Sequence, residues 1–274
     1  MKRVATRMAP GAALAAVCAM TLALGSVADA DEAAYELMKQ AHLAYYYGAD
    51  GGAARVTMTL TDKKGRTRER QFWILRRDVE DLGDQRYFTY FVKPGDVART
   101  AFLVHKKPEA NDDRWLYVPA LDLVKRIAAD DRRSSFVGSD FTYEDISGRL
   151  PSLDDHVVLG ADAVDGRSAT KVRSTPTDSK TADYAYRVTW VDDATKLPLK
   201  EEYFDAADVV LRRFEASRLE TVDGVPTLVQ RTMTNVEKST TTTITFAEIS
   251  YAAPLDADKF NERLLKNPPA AYRR

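Results

Sequence analysis

The sequence predicts a mainly β chain with covering helices, built as one large curled antiparallel sheet that forms an incomplete, half-open β-barrel. Three observations predict it. Apolar and polar residues alternate with period two through most of the chain after residue 50. Short turn signals rich in Asp, Gly and Lys separate these runs and leave no room for crossover helices. Helical spacing occurs only at the two ends. A sheet of about ten strands accumulates twist and curls, and lone end helices then cover one face and leave a hollow.

Asp31 to Tyr47 reads as the first helix, with Leu37, Met38, Ala41 and Tyr45 at helical spacing. Asp31, Glu32 and Glu36 lie near its start, where the helix dipole favours acids, and Gly48 ends it. Arg55 to Thr61 sets Val56, Met58 and Leu60 against three threonines, and Asp62 to Gly65 turns the chain. Thr67 to Arg76 returns with Phe72 and Ile74 on one side and Trp73 and Leu75 on the other. Arg86 to Val92, Ala101 to Lys106, Trp115 to Tyr117 and Leu123 to Ala128 follow as strands. A loop from Phe136 to Tyr143 interrupts them. His156 to Ala163 and Ser168 to Ser174 flank an Asp165-Gly166 hairpin signal. The meander continues through Tyr184 to Val191, Leu197 to Phe204, Val209 to Glu220, Thr227 to Val236 and Thr240 to Tyr251. Asp256 to Leu265 reads as a short closing helix, with a loose tail from Pro268-Pro269.

The first 30 residues read as a cleavable secretory signal: a basic start at Lys2, Arg3 and Arg7, an apolar run from Ala12 to Leu24, and Ala28-Asp29-Ala30 at the cut. Residues 31–274 are then a single domain, exported to the periplasm. The lone cysteine, Cys18, falls inside the signal, so the mature chain would have no disulfide, thiolate ligand or thiol nucleophile. With 40 Lys and Arg against 41 Asp and Glu, the surface lacks the basic excess of a nucleic-acid binder.

Motifs for catalysis are missing. The three histidines, His42, His105 and His156, form no ligand spacing, and the chain contains neither a GxSxG elbow nor a glycine-rich phosphate loop. Asp154-Asp155-His156 reads as a solvated turn rather than a metal site, and Asp112-Asp113 and Asp130-Asp131 as turn residues. No catalytic residue, metal ligand or cofactor is expected. Lys125, Arg126, Arg132 and Arg133 are expected to pair with Asp140, Glu144 and Asp145 and so anchor the loop, the alternative being a docking site for a membrane partner or a lipid phosphate.

The apolar strand faces admit two uses: an ordinary core, or the wall of a cavity for a greasy ligand. The candidate wall comprises Met58, Leu60, Phe72, Ile74, Phe102, Val104, Leu116, Tyr186, Val188, Trp190, Ile244 and Phe246. Tyr184 would share a face with Tyr186, Val188 and Trp190. The candidate lid is Leu37 and Met38 on the first helix with Phe136, Phe141 and Tyr143 in the loop, which is unusually apolar for a segment whose backbone must stay hydrated.

The stretch from Trp115 to Asp145 carries a resemblance. Its order, Trp115-Leu116-Tyr117-Val118-Pro119, then Lys125-Arg126-Ile127, then Ser135-Phe136-Val137-Gly138-Ser139-Asp140-Phe141-Thr142-Tyr143-Glu144-Asp145, resembles the LolA-like outer-membrane lipoprotein-sorting proteins. The match is best from about Tyr87 to Ile146. It implies a LolA/LolB-like half-open barrel with a plugged mouth, and a periplasmic carrier of lipid or lipoprotein acyl chains between membranes. It further implies an inner-membrane RND-type transporter and an outer-membrane acceptor as partners. A lipid chaperone serving such an exporter, and an envelope lipid hydrolase, are the alternatives. A tail of about fourteen methylenes costs on the order of 11 kcal/mol to expose to water, so a carrier must offer apolar area.

Overall fold

The computed structural model describes residues 27–273 except 81, 109 and 254. The expected signal therefore lies outside the described residues, apart from the backbone of residues 27–30, which opens the first helix.

Helix α1 spans Val27–Tyr46. The strands are β1 (Gly51–Thr61), β2 (Thr67–Asp78), β3 (Gln85–Lys93), β4 (Ala101–Lys106), β5 (Asp113–Val118) and β6 (Leu123–Ile127), then β7 (Asp154–Val164), β8 (Arg167–Pro176), β9 (Tyr186–Asp192), β10 (Pro198–Phe204), β11 (Val210–Val222), β12 (Val225–Asn235) and β13 (Thr240–Ser250). All thirteen lie in one sheet, ordered β6-β5-β4-β3-β2-β1-β13-β12-β11-β10-β9-β8-β7. Every neighbour pair is antiparallel, and the only non-sequential pair, β1 with β13, joins two meanders at the middle. The sheet does not close. Its free edges are β6 and β7, and the segment 128–153 that connects them contains the short helix α2 (Tyr143–Ser147).

Local chemistry places the turns. Asp165-Gly166 and Asp223-Gly224 both have left-handed φ, at 49° and 80° and at 49° and 83°. Two consecutive positive φ values make the type I′ turn whose twist suits a two-residue hairpin. At the β1–β2 turn, the Asp62 carboxylate accepts from the backbone N–H of Lys64 and Arg66.

Alternation sorts the side chains onto two faces. Val56, Met58, Leu60, Phe72, Tyr87, Phe91, Phe102 and Val104 lie on the concave side with Phe214, Met233 and Ile244. Leu75, Phe88, Tyr90, Leu103 and Tyr117 lie on the other side. There the C-terminal segment covers them with Leu255, Phe260 and Leu265, while Tyr272 meets Trp73 edge to face at 5.4 Å. The expected closing helix is instead two 3-10 turns, Ala257–Lys259 and Glu262–Leu264, and they lie on the convex face. Nor is the tail loose. The extended rows of apolar side chains on β2 to β5 need a strip of cover, which short turns can follow and one helix cannot.

Helix α1 packs Ala34, Met38 and Ala41 against Val172 of β8 and Val191 of β9. That contact uses its helical face as expected and leaves Tyr45 and Tyr46 at its end pointing into the hollow, where Tyr45 lies 6.2 Å from Phe214. None of the described helices is long and apolar enough to cross a membrane.

Candidate functional site

The segment 128–153 fills the hollow. Phe136 is fully buried and sits among Phe72, Phe91, Phe102 and Tyr143, with ring centroids 6.2, 6.1, 5.6 and 5.6 Å away. Tyr143 also meets Phe102 at 4.9 Å, and Phe141 and Ile146 complete the insertion. Directly after Phe136 the chain reverses through Val137 and Gly138, with φ of 47° and 74°. A β-branched residue in the left-handed region costs on the order of 1–2 kcal/mol, so the burial of Phe136 must hold the turn against that strain.

Polar contacts tie this plug to the strands. The Asp140 carboxylate accepts from the Thr242 hydroxyl at 2.7 Å and from the Thr240 hydroxyl. Thr142 and Asp145 form a capping box that starts α2, their reciprocal hydrogen bonds measuring 2.7 and 3.0 Å. The Asp145 carboxylate then receives Arg212 of β11. Glu144 lies 3.3 Å from Arg132 and 3.7 Å from Arg149, and Arg149 binds Asp154 at 2.8 Å. Burial raises the Glu144 carboxyl, and the two arginines oppose that shift. Gly148 ends α2 at a φ of 83°, and a Cβ there would stand 2.9 Å from the Tyr46 ring. Only glycine permits both the turn and that approach.

Besides two clefts of about 320 and 350 Å³ whose linings are mainly polar and charged, two clefts beside the plug border α1 and reach the apolar hollow. One lies between α1, the plug and strands β9 to β12, with a cavity volume of about 60 Å³. Its lining mixes Met38, Tyr45, Tyr203 and Phe214 with the charged residues Glu144, Asp145, Arg187, Glu201 and Arg212. The other lies between the end of α1 and strands β1, β2, β12 and β13, with about 120 Å³. Pockets for organic ligands typically hold about 300–1,000 Å³. The hollow is thus occupied by the chain's own aromatic residues, and a long ligand needs the plug or the end of α1 to move.

Lys106 stands where plug and helix meet. It is 2% exposed, donates to the Ser147 carbonyl at 2.8 Å, and lies 3.4 Å from His42 Nε2 and 5.5 Å from the Tyr46 and Tyr47 rings. Burial lowers the Lys106 ammonium to about 8. Burial, with Lys106 and Arg187 nearby, holds His42 well below the usual imidazole range. A neutral imidazole can accept a hydrogen bond from the Lys106 ammonium, so the two shifts are consistent. Burial also pushes the Tyr45 hydroxyl up to about 12.

The structure brings most of the expected wall together. Met58, Leu60, Phe72, Phe102, Val104 and Ile244 are buried on the concave face, with Ile74, Leu116 and Phe246 partly buried against them. Phe136, Phe141 and Tyr143 lie over this wall, whereas Leu37 and Met38 pack on β8 and β9, with Met38 also reaching the smaller cleft. Tyr186, Val188 and Trp190 do not join them. Tyr186 stacks on Phe204 at 4.7 Å and donates to Asp208, and Trp190 donates to Asp162 under Lys200, all on the convex face. Val188 shares their phase, while Arg187 and Thr189 point inward. Tyr184 is inward with Tyr203, because β9 begins only at Tyr186 and the bend before it shifts the phase.

The loop anchor also differs from expectation. Of the expected pairs only Arg132 with Glu144 forms; Arg126 pairs with Asp113, and Arg133 donates to the Ala182 carbonyl. Asp154 and His156 are buried rather than solvated, with His156 between Ser174 and the Pro151 carbonyl. Sequence reading missed α2, although Thr142-x-x-Asp145 carries the capping-box signature. It also missed Lys106, Arg187, Arg212 and Arg231. Their signal was phase: Phe102-x-Val104-x-Lys106 and Arg212-x-Phe214 put each charge on the inward register.

Residues 83–267 match a protein family described only as "Uncharacterized protein". A search of curated protein sequences gave no match. Among solved structures, the chain is similar to a domain of Vibrio parahaemolyticus described as an outer membrane lipoprotein-sorting protein, at 26% identity and TM-score 0.78, covering 86% of this chain and 99% of that one. It is similar to a DUF1329 family protein of Desulfovibrio piger at 27% identity and TM-score 0.79, with 86% and 99% covered. A LolA superfamily protein of Nitrosomonas europaea shares the fold at 14% identity and TM-score 0.64, covering 84% and 98%.

Proposed function

We propose that this chain, which is similar in structure to an outer-membrane lipoprotein-sorting protein domain and shares the fold of a LolA superfamily protein, is a periplasmic carrier that shelters acyl chains of lipids or lipoproteins. The plug is its movable cover. One observation carries the reading: Phe72, Phe102 and Ile244 on the concave wall are covered by Phe136, Phe141 and Tyr143 from a connecting segment, not by a second sheet. Such a segment can leave without breaking any strand pairing, and its departure exposes an apolar wall. Each large apolar side chain so uncovered costs roughly 1.5–3 kcal/mol, and an acyl chain restores that burial. The work is binding and release, without covalent chemistry. Transfer runs towards the outer membrane, with an RND-type inner-membrane transporter and an outer-membrane acceptor as donor and receiver.

Native mass spectrometry of the protein purified from the periplasm tests this. The expected result is co-purified mass that organic extraction releases as lipid or lipopeptide. Ile74→Asp and Phe246→Asp, exported and folded, should arrive empty. A wild-type protein that carries no lipid and takes up no fluorescent fatty acid would sink the reading.

A further inference from the structure

The larger of the two clefts that border α1 contains a cation without a counter-ion. One transverse row of the concave face runs Met58, Ile244, Arg231, Ala216 from β1 through β13 and β12 to β11. Three of the four are apolar, and Arg231 interrupts them. Its guanidinium lies between two rings, with the Tyr45 centroid at 5.0 Å and the Phe246 centroid at 4.6 Å. It donates to the Tyr45 hydroxyl, and its Nε is buried without a hydrogen-bond partner. No carboxylate within salt-bridge distance faces it among the described residues.

The neighbouring cleft differs. There Arg149 has Asp154, Arg187 has Glu201 and Arg212 has Asp145. Glu201 and Asp145 are the acids whose charges act on Tyr45, and both are already committed. The larger cleft is lined by Arg231 and Arg76 and by no acid at all, and Arg76 is taken by Asp78. Its other walls include Ile74, Tyr87, Leu228 and Phe246. A half-buried guanidinium in apolar surroundings is costly while unpaired, and its planar fork matches a carboxylate or phosphate.

We propose that this cleft is a head-group site for anionic amphiphiles, with a carboxylate or phosphate on Arg231 and the acyl chain along Ile74, Leu228 and Phe246. The inference rests on the carrier reading and narrows it. The Tyr45 hydroxyl holds the place of the anion in the closed form. A neutral lipid, including the ester- and amide-linked chains of a lipoprotein, gains nothing from Arg231, so the site selects charged free lipid.

The test compares dodecanoate, dodecyl phosphate and 1-dodecanol by calorimetric titration into the folded mature chain at a pH where both acids are ionised. Dodecanoate and dodecyl phosphate should bind on the order of tenfold more tightly than the alcohol. Arg231→Gln should bring both down to the alcohol's affinity, which itself stays unchanged, and Arg231→Lys should keep part of the preference. A stronger preference for the phosphate would identify a phospholipid-type head, and for the carboxylate a fatty acid; either supports the site. Equal affinities in the wild type, or a preference that survives in Arg231→Gln, overturn it while leaving the carrier reading intact. Absence of binding by all three overturns both. If Arg231→Gln does not fold, the wild-type comparison with Arg231→Lys decides.

Discussion

Asp145, in the first turn of α2, receives two hydrogen bonds from Arg212 of β11, at 3.0 and 3.3 Å. The same carboxylate accepts the Thr142 backbone N–H. One side chain thus both starts the plug helix and ties it to the far half of the sheet. Both partners are largely out of water, so removing one strands the other.

Arg212→Met should therefore cost more than a surface pair would, about 3 kcal/mol in urea unfolding. Hydrogen exchange at residues 142–148 should speed up more than exchange in β11. If both segments keep wild-type protection, the tether does not hold the plug.

Phe136 fills the centre of the aromatic cluster. Phe136→Ala should lose about 3–5 kcal/mol, because the surrounding rings belong to paired strands and cannot collapse into the gap. The same variant should bind a small apolar probe such as benzene, read as a rise in melting temperature with probe concentration. A gap that closes would abolish the second effect and reduce the first.

Pinning the plug should block uptake. Asp140 and Thr242 touch through their side chains, and the mature chain has no other expected thiol. Asp140→Cys combined with Thr242→Cys should take up fluorescent fatty acid when reduced and exclude it when oxidised. Equal uptake in the two states would mean that ligands do not need the plug to move.

Lys106 predicts a pH dependence. Its folded-state value is about 8, below the ordinary lysine value, so between about pH 8 and 10 the unfolded chain holds the proton more tightly. Stability should rise with pH across that window, by up to about 3 kcal/mol, as the buried ammonium is relieved of its charge. Above pH 10 the buried tyrosines Tyr45, Tyr47 and Tyr87 act oppositely, since their raised values make the folded state hold protons longer. Below about pH 6.5 His42 adds a loss, because the unfolded imidazole takes a proton that the folded one refuses. Lys106→Met should flatten the rise between pH 8 and 10 in thermal melts and soften the acid limb, because the Lys106 charge helps hold the His42 imidazole down.

What the sequence determined by itself is local in origin. Period-two alternation gave each strand, Asp165-Gly166 and Asp223-Gly224 gave two hairpins, and the spacing of Met38 and Ala41 gave α1 a packing face. It even grouped Phe72, Phe102 and Ile244 correctly, because large apolar residues on one strand face are buried wherever that face goes. Only the tertiary structure decided which face is concave. Alternation defines two faces and names neither, and the bend before Tyr186 was enough to turn Trp190 outward and Arg187 inward. Charge pairing needed it as well, since Asp145 and Arg212 stand 67 residues apart and Coulomb attraction acts through space rather than along the chain. The connection from β6 to β7 had to cross the hollow because those strands became the two open edges, a fact of sheet order that no local pattern contains.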